Sequence, residues 1–260
     1  MNRGRKRHGH RRLWRCAGCL LGCISVPVWA DDNASEPPWN ADAELGLMQT
    51  TGNTSTSSVK AKLDVNQELP QWRNEYTFDG LYTRDKTDDS DTEYSTSAQR
   101  WFASAQGNYK LDEKNKAVFI YGSYEQDRFS GYQYQGSVAL GYANRLLASQ
   151  QQTLDVNIGP GVAFNQEEQG DSARYGILRL SASYKYKVSP TTRFSQTLSS
   201  DLALDAAQNS RFKSETALRV NINSTLALKT SFAVSHNTQV DEGVDKTDAQ
   251  TAVTLVYTFK

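Results

Sequence analysis

The side chains that could do chemistry in this sequence recur at every second position of extended, alternating segments. Lys60, Lys62 and Asp64 form one such series, Arg73, Glu75 and Asp79 a second, and Lys213, Glu215 and Arg219 a third. Asp155, Asp201 and Lys229 stand in comparable settings. Residues two apart on a strand point to one side, so each series aims its charges at a single face. Both signs are present, which suits two jobs. The charges can pair into ladders that fill an interior, or they can line a narrow aqueous path whose mixed field sorts small solutes.

Catalytic chemistry finds less support. His8 and His10 belong to a basic leader, and His236 shares its parity with Phe232 and Val234 near a strand end, away from any inward serine. Glu167 and Glu168 are adjacent and point apart in extended chain. An aspartyl pair across a lumen would serve a barrel hydrolase, but no carboxylate is singled out for it. The acidic run at 85–91 lacks the calcium-loop spacing with its central glycine and terminal glutamate. No catalytic residue, cofactor or metal site is therefore expected, beyond loose divalent bridging to lipopolysaccharide at an acidic rim.

The elements that must position these charges are strands. Tyr134, Gly136, Val138, Leu140 and Tyr142, with Tyr132 ahead of them, alternate against Gln133, Gln135, Ser137, Ala139 and Gly141, and nothing sustains a three-four helical spacing. About twelve strands are expected, at 41–50, 54–67, 72–84, 92–109, 116–126, 131–146, 152–164, 173–188, 192–205, 211–221, 225–237 and 247–259. Their connections alternate between tight turns and longer acidic loops, the pattern of an up-and-down transmembrane antiparallel β-barrel with both ends on the periplasmic side. Trp72 and Tyr82 share a face ten residues apart, as do Tyr132 and Tyr142. Ten tilted residues climb about 24 Å, close to the height of the apolar band between two aromatic girdles. Pro160 interrupts an apolar strand and predicts a bulge or kink. The parity around Arg179 puts it in the lumen with Ile177.

Composition agrees. With 38% hydrophobic and 22% charged residues and a mean hydropathy of -0.65, the chain cannot be a bundle of membrane helices, whereas a barrel needs apolar residues only at alternate positions. Residues 1–30 read as a secretory signal: Arg3, Arg5, Lys6, Arg7, Arg11, Arg12 and Arg15, a short apolar run at 17–28, and Val28, Trp29 and Ala30 before Asp31. Cys16, Cys19 and Cys23 all fall in it. Leu20–Cys23 loosely matches a lipoprotein box, although Cys23 reads more simply as part of the signal core. Without the signal, 22 basic residues face 29 acidic ones, a formal charge of -7 that argues against a nucleic-acid partner. Residues 31–40 read as a disordered lead-in and 41–260 as the outer-membrane barrel. Val253, Leu255, Tyr257 and Phe259 resemble the terminal strand read by the barrel assembly machinery, with Lys260 as one extra residue.

The TTGNTS segment at 50–55, YGSYEQDRFSGY at 121–132, GYANRLL at 141–147, IGPGVAF at 158–164 and the stretch 215–238 are similar, in order and spacing, to the salt-induced outer membrane protein family of Gram-negative bacteria. The resemblance implies an outer-membrane β-barrel of unknown function in contact with lipid and lipopolysaccharide. It supplies no substrate and no oligomeric state. Twelve strands fall between filled eight-stranded barrels and open sixteen-stranded porins. The expected function is a narrow passive channel for small solutes or ions, linked to salt or osmotic stress. The alternative is a non-conducting structural barrel filled by ion pairs.

Overall fold

A computed structural model of the chain describes residues 38–50, 56–86, 94–111, 115–127, 130, 132–167, 172–240 and 242–259. The expected leader with its cysteines, the lead-in before residue 38, the loop residues Asp88, Asp89, Asp91, Glu168, Asp171 and Asp241, and Lys260 lie outside them. Twelve strands follow: β1 (Trp39–Thr50), β2 (Thr56–Glu68), β3 (Trp72–Lys86), β4 (Tyr94–Lys110), β5 (Lys116–Asp127), β6 (Tyr132–Ala148), β7 (Gln152–Glu167), β8 (Ser172–Lys187), β9 (Thr192–Ala203), β10 (Arg211–Asn221), β11 (Leu226–Asn237) and β12 (Thr247–Phe259). Each pairs antiparallel with its sequence neighbours, and β1 pairs with β12 from Ala41↔Phe259 to Leu45↔Leu255, closing an all-β barrel. A closed ladder leaves no edge of unpaired backbone groups.

Short turns gather at the end where β1 starts and β12 finishes, which we call the turn end; the opposite end is the loop end. Leu69 N–H bonds to Trp72 O at 2.8 Å, and Ser149 N–H to Gln152 O at 3.0 Å, each closing a two-residue hairpin. Ser189 Oγ accepts from the amides of Thr191 and Thr192, and Asn223 Oδ1 from those of Thr225 and Leu226. The sequence places Ser and Asn there because a short polar side chain can replace missing ladder partners.

Burial is inverted relative to a protein that folds in water. Leu140 is 59% exposed and Leu45 54%, whereas Lys60 and Arg179 are each 7% exposed and Asp201 5%. The apolar parity faces outward on every strand, and the charged parity faces the barrel interior. Two outer belts of aromatics flank the apolar zone. Trp72 and Tyr109 pack edge to face at 5.3 Å at the turn end, and Tyr124 stacks on Tyr134 at 5.7 Å, with Phe164 beyond, towards the loop end.

Three details depart from expectation. Strand β1 begins at Trp39, two residues inside the expected lead-in, because Pro38 O accepts from Glu68 N and anchors the chain against the end of β2. Tyr132 does not share a face with Tyr142. The register against β7 shifts between Tyr132 and Tyr134, so Tyr132 turns inward, 2% exposed, and donates to Gln239 O at 2.8 Å. Tyr134 takes the outer position instead. Of the two alternatives expected at Pro160, the bulge is absent: Ala139↔Gly161 and Tyr142↔Ile158 belong to one register, and the irregularity is confined to the pairs between them, which drop out. There Gly141 and Gly159 press backbone to backbone, and a Cβ on either would collide with a carbonyl of the opposite strand. Their lack of side chains permits the approach.

Candidate functional site

The interior charges form three groups along the barrel. Towards the loop end, Asp201 on β9 accepts from Arg179 on β8 at 2.6 Å and from Arg211 on β10 at 2.8 Å. Ser137, reaching across from β6, donates to the same carboxylate at 2.9 Å. The Arg179 guanidinium also lies 3.3 Å from the centre of the Tyr121 ring. Lys213 on β10 meets Glu125 on β5 at 2.5 Å across the lumen. Asp79 is shared by Arg100 at 2.7 Å and Lys60 at 3.9 Å.

In the middle, Lys229 bridges Glu44 and Glu215, at 2.9 Å each. Lys62 lies between Asp64 at 3.1 Å and Glu215 at 3.8 Å, linking β2 to β10. At the turn end, Arg219 donates to Asp42 at 2.9 Å and to Thr258 at 2.6 Å. Arg73 on β3 reaches Asp155 on β7 at 3.5 Å, where Arg145 makes a two-pronged contact at 2.7 and 3.0 Å. Glu75 points inward and is exposed.

All twelve charged positions singled out by alternation occupy the inward parity, and several meet across non-neighbouring strands. Their partners Asp42, Glu44, Arg100, Glu125, Arg145 and Arg211 were missed. Parity alone could have found Glu44 and Asp42, since both alternate with Ala43 and Leu45. Arg211 stands at a strand's first residue, where two places of alternation are too few to read.

A cavity of about 690 Å³ opens at the loop end, walled by Ser58, Lys60, Arg100, Glu125, Arg211 and Lys213, among others. Asn209 donates to Asn237 at 2.9 Å, tying the β9–β10 loop to the end of β11. His236 lies on the outer face, 2.7 Å from Thr247 Oγ1 and beside Phe212, so it does not share the lumen with the inward serines.

Comparison with known proteins fits this architecture. The chain is 25% identical over 237 residues to the uncharacterized protein YdiY of Escherichia coli (strain K12), covering 90% of this chain and 89% of that protein. Among solved structures it resembles the NanC porin with a TM-score of 0.50 and 10% identity, over 85% of this chain and 99% of that one. The translocator domain of autotransporter NalP from Neisseria meningitidis gives a TM-score of 0.48 at 9% identity, over 88% and 90% of the two chains. At such identity the NanC likeness is one of fold, a barrel of outer-membrane type. Residues 43–259, from the second turn of alternation in β1 to the last residue of β12, match a single family along the whole wall described above, and the chain belongs to that family, described as "Protein of unknown function, DUF481".

Proposed function

We propose that this protein sits in the outer membrane of a Gram-negative cell and acts there as a narrow passive channel for small solutes or ions. The observation that carries the reading is the exposure, among the described residues, of side chains that point into the lumen. Thr197 in mid-β9 and Glu75 on β3 point inward yet are exposed, and the loop-end cavity of about 690 Å³ reaches down to Lys60 and Arg211. The exposed outer parity supports the location. Side chains such as Leu140 and Leu255 would be costly in water and are stabilised against acyl chains and lipopolysaccharide. Insertion would proceed through the barrel assembly machinery, guided by the β12 series that ends at Phe259.

A second reading has its own support. The cross-lumen pairs Lys62–Glu215, Lys213–Glu125 and Arg73–Asp155 are what a filled, non-conducting structural barrel would use. Planar-bilayer recording separates the two: discrete current steps sustain the channel, and a folded, heat-modifiable barrel that stays silent sustains the structural role. A role under salt or osmotic stress draws its support from the sequence resemblance alone. Constant abundance of the protein through a salt upshift would remove that part of the reading. No enzymatic step is proposed, since the imidazole of His236 lies on the outer wall.

A further inference from the structure

The lumen holds a pattern that pairwise contacts do not reveal. Lys187, Arg193, Arg219 and Lys229 stand directly opposite one another on β8, β9, β10 and β11, in one hydrogen-bonded row. Lys229 opposes Thr254 on β12, and Gly46 on β1 lies against Thr254 and Lys60. From Gly46 the row continues through Lys60 on β2 and Leu81 on β3 to Arg100 on β4, and ends at Asp127. Because the strands tilt, a row perpendicular to them climbs the wall. This one rises from the turn end at Lys187 to the loop-end cavity, whose wall includes Lys60 and Arg100.

Six cations occupy the row and no acid precedes its last residue. Like charges directly opposite one another destabilise a sheet. Such a breach of local rules, repeated over four consecutive strands, marks a functional surface rather than a packing solution. The surroundings of the row are asymmetric. On its turn-end side Asp42, Glu44 and Asp79 hold Arg219, Lys229, Lys60 and Arg100. On β8 the neighbouring inward position on the loop-end side is another cation, Lys185, and opposite it the row runs on through Ser195, Ala217, Ser231 and Ala252, with Ser58 opposite Thr83 further round. Those from Ser195 onward are small and neutral, and Glu215 is the carboxylate that reaches Lys229 from that side. Lys187 and Arg193 are exposed and have no carboxylate partner among the described residues, and Arg100 Nε is buried without an acceptor.

We propose that this row is a stair for anions: the channel takes small solutes bearing carboxylate or phosphate groups, handed between Lys187 and Arg193 at one mouth and Lys60 and Arg100 at the other. The inference rests on the channel reading above. The carboxylates behind the row hold its cations in place, and the small side chains in front leave room for a passing anion.

The test is zero-current potential across a planar bilayer in a potassium chloride gradient, using full-length protein extracted in detergent from expressing cells. The unaltered barrel should prefer chloride, and inorganic phosphate should reduce the chloride current. Lys187→Glu with Arg193→Glu should abolish the preference, while Arg193→Lys should retain it. The heat-modifiable gel shift of each variant establishes that it folds. A conducting barrel that prefers potassium, or whose preference survives the double exchange, overturns the anion stair and leaves the channel standing. A folded barrel that passes no current overturns both.

Discussion

The cluster around Asp201 and the turn-end stretch of β8–β10 use the same residue types to opposite ends. Around Asp201, every charge has a partner: two arginines share one carboxylate, a serine from the far wall completes it, and an aromatic ring covers Arg179. At the turn end, Lys187, Arg193 and Arg219 face one another, and among the described residues only Arg219 has a carboxylate partner. Charges that are buried must be neutralised in place, since a lone ion in a dry interior costs several kcal/mol. Charges that stay wet need no such partner. The contrast therefore locates where the lumen is solid and where it is open.

The largest effect is expected from Asp201→Ala, which leaves Arg179 and Arg211 facing each other in a buried site. Removing one member of such a group costs about 3–5 kcal/mol. Urea unfolding in detergent micelles or lipid, followed by gel mobility, should show it, and a loss below 1 kcal/mol would mean that water already fills the site. Next comes Leu140→Arg, which moves a charge to the outer face and should cost about 2–4 kcal/mol if that face meets lipid near the midplane. An unchanged midpoint in bilayers would place Leu140 in water. Gly141→Ala should cost about 1–3 kcal/mol by forcing β6 from β7 at the level of Pro160. A variant as stable as the parent would show that the two backbones can part freely. Smallest is Arg193→Ala, within about 0.5 kcal/mol of neutral because the side chain is exposed and has no carboxylate partner among the described residues. A large destabilisation there would erase the distinction between the two regions.

How much of this was legible beforehand follows from which signals are local. Alternation is, so the strands were found almost residue for residue; the largest displacement extends β7 from 164 to Glu167. Parity assigned Lys60, Asp79, Lys213 and Glu215 to one face, because a period of two needs no knowledge of neighbours. It failed at Tyr132, where a single register shift against β7 turns the side chain over. Such a shift is set by pairing, which no run of residues announces.

Sequence alone thus determined the wall: twelve alternating segments, apolar on one parity and charged on the other, joined by turns whose Ser, Asn and Pro prescribe tight hairpins. It could not determine which charges meet. Glu125 and Lys213 are 88 residues apart along the chain, and Asp42 and Arg219 are 177 apart. The cationic row spans nine strands from Lys187 to Arg100. Those relations exist only once the sheet has closed and its tilt has fixed which residue stands beside which.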